Sequence, residues 1–168
     1  ISCIPNGLIL CFPVASLMDD TRASSFQALL GRETANLLSP ARQVAKSWPP
    51  TVLFYGTADR LLPGGVLLHN NARQVGSMCE MYLAEGQGHG FVNAEPWNVV
   101  SAKYAADFFM RAGVLDKGSL PETPPDELRL YNGEPIEAIF SRTGGNLSRK
   151  ALAIRGGQSQ PAGSAPIN

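Results

Sequence analysis

Pro49-Pro50-Thr51-Val52-Leu53-Phe54-Tyr55-Gly56-Thr57-Ala58-Asp59 is the stretch on which the fold turns. The two prolines lack backbone N–H donors and break whatever precedes them. Thr51 to Tyr55 are β-branched, aliphatic or aromatic, a composition that suits a pleated strand. With no polar alternation, both faces of that strand need cover, as in a parallel sheet between helices. Gly56 ends the strand, and Asp59 follows in the turn.

Nearer the N-terminus, Gly7-Leu8-Ile9-Leu10-Cys11-Phe12, closed by Pro13, reads as a second buried strand. Residues 19–38 are mixed and polar, with weak helical stretches at 25–30 and 33–37. Downstream, the apolar spacing of residues 65–75 predicts a helix. Cys79-Glu80-Met81-Tyr82-Leu83-Ala84 is a third strand, closed by Gly86-Gln87-Gly88-His89-Gly90. Pro96 opens a helix running to Arg111, with Val99, Val100, Tyr104, Phe108 and Phe109 near one face and Gly113 as its stop. Strands alternating with helices predict an α/β fold with a parallel sheet of about three strands. The ordered domain is expected to be 1–115, and 116–168 a linker and tail. Pro, Glu and Asp dominate 116–127. Residues 128–140 can form a hairpin about Asn132-Gly133, although Pro135 weakens its second strand. Beyond Ser141, Gly, Ser, Gln and Pro without periodicity predict low order.

Composition removes several functional classes. The 168 residues are 44% hydrophobic and 17% charged, with fourteen basic residues balancing fourteen acidic ones and a pI near 6.9. Such a balance leaves no electrostatic footprint for nucleic acid. No apolar stretch reaches the ~20 residues that span a bilayer. Cys3, Cys11 and Cys79 are too few for a disulfide framework, and the latter two sit in apolar runs where a thiol packs as a small hydrophobe. A chain that opens on Ile1 with no signal-peptide pattern is expected to be a fragment or processed product. Compartment and oligomeric state are left open.

Two residues carry candidate chemistry. Asp59 lies beyond the carboxyl end of a strand, where functional groups gather in open α/β sheets, and Leu61, Leu62 and Pro63 can shield it. An Asx-turn or a helix cap would also place an aspartate there. His89 follows the third strand between glycines, and its near-neutral pKa suits proton transfer at pH 7. A capped loop histidine and a metal ligand are the other readings. His69 is the only other histidine, and no Cys/His pair has ligand spacing, which argues against a metal. Gly86-Gln87-Gly88-His89-Gly90 is not a dinucleotide fingerprint, and no cofactor is implied. Asp59 and His89 are thirty residues apart, separated by one helix and one strand. A right-handed crossover would open both loops on one sheet edge, so that the carboxylate can orient the imidazole. His69, on the connecting helix, reads as a packing or surface residue.

These residues carry a resemblance. Pro49 to Asp59, continued by Arg60-Leu61-Leu62-Pro63, resembles the acid-bearing strand and loop of α/β-hydrolase esterases and lipases. Glu85-Gly86-Gln87-Gly88-His89-Gly90-Phe91 resembles the histidine loop of the hormone-sensitive-lipase-like and acetyl-esterase branch. Residues 7–13 are similar to the strand after the nucleophile helix of that family, and Leu38-Ser39-Pro40 to a segment before its acid strand. The resemblance covers residues 4–115 and implies the C-terminal part of an α/β-hydrolase sheet, with Asp59 as acid and His89 as base. The family's G-x-S-x-G elbow and Gly-rich oxyanion loop are missing. Gly157-Gln158-Ser159-Gln160-Pro161 fails at its last position and follows the base. Gly144-Gly145 and Gly156-Gly157 read as linker, and Asn146-Leu147-Ser148 is a weak glycosylation match.

The functional expectation is a serine hydrolase of a small carboxylic ester, short-chain or acetyl, whose nucleophile lies upstream of residue 1. One alternative is a non-catalytic fragment or interaction module presenting the strand of residues 7–13 as an open sheet edge. Another is a peptidase or dienelactone-type hydrolase, distinguished by the nucleophile.

Overall fold

The structure, a computed structural model, describes residues 3–18, 23–116 and 127–143. At its centre lies β2 (Thr51–Gly56), all six residues buried. It pairs in parallel with β1 (Leu8–Cys11) on one side and β3 (Cys79–Ala84) on the other. The registers run from Leu8↔Thr51 to Cys11↔Phe54 and from Thr51↔Cys79 to Gly56↔Ala84. A two-residue strand, β4 (Arg129–Leu130), pairs antiparallel with β3, giving the order β1-β2-β3-β4.

Alternation along the strands builds two apolar layers. Leu53, Tyr55, Met81 and Leu83 face the helix α3 (Leu62–Gln74) with its Leu62, Val66 and Leu68. Val52, Phe54, Tyr82 and Ala84 face α4 (Trp97–Arg111) through Val100, Tyr104, Ala105 and Phe108. Val99 is half exposed rather than part of that face, because the buried stripe centres on Val100, Tyr104 and Phe108 and Val99 lies far round the helix. Between β1 and β2, the short helices α1 (Ala23–Leu30) and α2 (Arg32–Leu37) reach the body through Ser39. Its hydroxyl donates to Ala35 O and accepts the Leu17 N–H. Among the described residues no helix is long and apolar enough to cross a membrane.

The segment after α4 departs from expectation. Residues 128–140 do not form a hairpin: β4 is followed by a loop through Asn132 and Gly133 and then by α5 (Ile136–Thr143). Pro135, an obstacle within a strand, sits at a helix start, where its missing N–H costs nothing and its carbonyl accepts from Ala138 and Ile139. Residue 115 therefore does not end the packed domain. Leu128 joins the α4-side core, and Tyr131, Ile136, Ile139 and Phe140 join the α3-side core. The linker expected at 116–127 falls mostly outside the described residues. So do all of 144–168 and their Gly-Gly pairs, serine and glycosylation motifs.

Cys79 is buried, with its thiol pushed up to about 12 by desolvation, while Cys11 is half-buried. His69 is a packing residue, 8% exposed and edge-on to Tyr131 at 5.1 Å. Burial lowers its pKa and nearby Arg73 adds to this, against the opposing Asn70 hydrogen bond and Glu80. Unfolding frees the ring to take up a proton near pH 6.5, so the unfolded chain binds more protons just below that pH. Stability from this group is thus complete above about pH 6.5 and falls as pH drops toward the folded value. In denaturant melts from pH 7.5 to 5, the wild type is expected to lose more stability than His69→Phe. Parallel losses would remove His69 as the cause.

Candidate functional site

Asp59 and His89 emerge from the carboxyl ends of β2 and β3, adjacent parallel strands, so their loops open on one edge. Asp59 is 1% exposed, and Leu61 and Leu62 just after it are buried too. Its two oxygens have separate tasks. Oδ1 accepts the Leu61 N–H at 2.9 Å, an Asx-type turn that fixes the carboxylate plane. Oδ2 faces His89 Nδ1 at 3.1 Å. The local-turn reading and the imidazole-orienting reading of Asp59 are therefore compatible in one side chain.

The two loops are clasped together. Ala58 N–H donates to Gln87 O at 2.9 Å, and Gly86 N–H donates to the buried Thr57 hydroxyl at 2.8 Å. Gly56 is required here, since a Cβ at that position would lie 2.1 Å from Gln87 O. Gly90, at φ +88°, turns the chain directly after the histidine, a conformation glycine adopts without penalty. The histidine loop is thus held against the Asp59 loop by a main-chain bond and the Thr57 hydroxyl, independently of the Asp59–His89 contact.

His89 has a 54% exposed side chain, so the imidazole bridges a buried carboxylate and open solvent. Phe12 sits edge-on to it, ring centroids 4.8 Å apart, and Phe91 stands behind Phe12 at 6.3 Å. Phe12 closes β1, its N–H on Phe54 O, with φ at +42°, the one non-glycine residue at positive φ among those described. Strain of that kind persists only where surroundings enforce it. A carboxylate can only accept, so Nδ1 carries the proton facing Asp59. In the neutral ring this leaves the lone pair on Nε2, which has no hydrogen-bond partner among the described residues. Such a pair can take a proton from a group presented at Nε2.

Two residues of this arrangement escaped the sequence reading. Thr57 had a weak signal, lying between Gly56 and Asp59; Phe12 had none, since a residue before proline favours extended backbone. No group of three potential metal ligands occurs among the described residues.

No protein-family model matches the sequence, and no curated protein matches it. Solved structures do. The chain is similar to native Est2, a thermophilic esterase of the planctomycete Thermogutta terrifontis, at 27% identity and TM-score 0.56, covering 68% of this chain and 45% of that one. It is similar to an acetyl ester-xyloside bifunctional hydrolase of Caldicellulosiruptor lactoaceticus at 25% identity and TM-score 0.59, covering 69% and 46%. A third match is Thermogutta terrifontis esterase 2 phosphoramylated by tabun, at 29% identity and TM-score 0.53, covering 66% and 42%. The chain spans less than half the length of each. Its fold is that of the C-terminal part of an esterase of the α/β-hydrolase kind.

Proposed function

We propose that this chain supplies the acid and base of a serine esterase, Asp59 and His89, to a nucleophile carried on sequence preceding residue 1. The observation that supports this most is the 3.1 Å approach of the buried Asp59 carboxylate to Nδ1 of His89, whose side chain is otherwise half exposed. In the proposed cycle His89 Nε2 takes the serine proton as the hydroxyl attacks the ester carbonyl, then returns it to the departing alcohol. Asp59 stabilises the imidazolium between these steps. Water, deprotonated by the same nitrogen, releases the acid. A small uncharged ester suits the site, since the arginines beside the histidine loop, Arg129 and Arg142, are paired with Glu85 and Glu134, and the acetyl ester hydrolase among the similar structures favours a short acyl group.

The test is hydrolysis of p-nitrophenyl acetate, butyrate and octanoate by the chain expressed with the sequence encoded upstream of it. Turnover is expected to favour acetate and butyrate, and to fall about 10⁴–10⁶-fold in His89→Ala. Residues 1–168 alone, which contain no G-x-S-x-G, are expected to show none. Turnover indifferent to His89→Ala, or an upstream sequence with no G-x-S-x-G, overturns the reading. A cysteine at the elbow would favour the dienelactone-type alternative.

The edge position of β1 favours one other reading. Its Ile9 is half exposed and the strand pairs on one side only among the described residues, as an interaction module adding a strand would require.

A further inference from the structure

The segment 127–143 crosses the outer edge of β3 and ends beside the histidine loop. Leu130 and Arg129 pair with Tyr82 and Leu83, and Tyr131 N–H bonds Met81 O at 2.8 Å. Where the segment passes the end of β3, four charges close a ring. Arg129 Nε donates to Glu85 Oε1 at 2.7 Å, and Arg129 Nη1 donates to Glu134. Arg142 Nη1 donates to Glu134 Oε2 at 2.6 Å, and Arg142 Nη2 lies 3.9 Å from Glu85 Oε1, completing the circuit. The hydrogen bond from Arg142, with help from Arg129, holds the Glu134 carboxyl below its usual range.

Three of the four members belong to the segment itself. Glu85 alone lies outside it, directly after β3, and begins the loop that ends in His89. That loop contains Gly86 and Gly88, which restrain its backbone little. On its inner side it is anchored by Thr57 and Ala58; on its outer side the ring is the anchor among the described residues. An isolated exposed ion pair adds little, but each charge here has two opposite neighbours.

We infer that the 127–143 segment sets the position of the histidine loop, with Arg129 as a positioning residue that acts through Glu85. Its catalytic consequence rests on the role proposed for His89, whereas the coupling itself does not. Arg129 touches no reacting atom; its effect is to limit how far residues 85–89 swing away from Asp59.

Amide hydrogen exchange on the 168-residue chain tests the coupling without any activity. Arg129→Ala is expected to speed exchange at residues 86–90 about tenfold or more, leaving the Tyr131 amide protected against Met81 O. Glu85→Gln, which spares the pairs within the segment, is expected to do the same and stands in if Arg129→Ala does not fold. Unchanged exchange at 86–90, or a rise there matched at Tyr131, overturns the inference, the latter by reducing the ring to a fastening of the segment. In an active longer polypeptide, Arg129→Ala is expected to lower kcat with KM unchanged. If exchange responds while His89→Ala leaves turnover intact, the coupling stands and the esterase reading fails.

Discussion

Asp59→Asn is expected to leave the fold standing and to lower turnover about 10⁴-fold in a longer polypeptide that carries the proposed nucleophile. The substitution is nearly isosteric. An asparagine oxygen can still accept the Leu61 N–H that Oδ1 accepts now, so the turn after β2 survives. The other amide atom then faces His89 as an N–H donor instead of an acceptor. A donor opposite Nδ1 draws the ring into the tautomer with its proton on Nε2, where the lone pair is needed. The imidazolium also loses the buried negative charge beside it, so the loss should fall on kcat and not on KM. Thermal melting of the variant should stay within a few degrees of wild type while kcat collapses. Equal losses in both would make Asp59 a structural residue only.

Truncation after Asp116 is expected to cost the domain its cooperative fold. It removes Leu128, Tyr131, Ile136, Ile139 and Phe140, none more than 6% exposed. At about 1.5–3 kcal/mol for each large apolar side chain buried, their combined contribution is comparable with the ~5–15 kcal/mol that stabilises a whole domain. The same cut strips β4 from β3 and leaves that strand's outer edge unpaired, a template for aggregation. The truncated chain should elute as aggregate and lack a sigmoidal thermal transition by circular dichroism. A monomer melting at the wild-type temperature would show that the segment is an ornament.

The parts of the fold legible in the sequence are those decided locally. Thr51 to Tyr55 and Cys79 to Ala84 read as strands because unbroken apolar runs between Pro and Gly have few other solutions. Once these two are parallel neighbours, the placement of Asp59 and His89 on one edge follows from crossover handedness. The 127–143 segment was misread for the converse reason. Arg129-Leu130 is too short to be a strand by composition, and only β3 makes it one. Pro135 then carries opposite meanings in a strand and in a helix, and no local signal decides between them. Phe12 escaped because its partners, Phe54 O and the His89 ring, lie far away in sequence. Thr57 escaped because its hydroxyl serves a loop that the chain reaches only at Gly86.

The pairing of Asp59 with His89 is tested most directly by ¹⁵N NMR of the imidazole in the 168-residue chain, at a pH where the ring is neutral. The nitrogen shifts should place the proton on Nδ1 and the lone pair on Nε2, and Asp59→Asn should abolish that preference. A proton found on Nε2, or a tautomer that ignores Asp59→Asn, would contradict it.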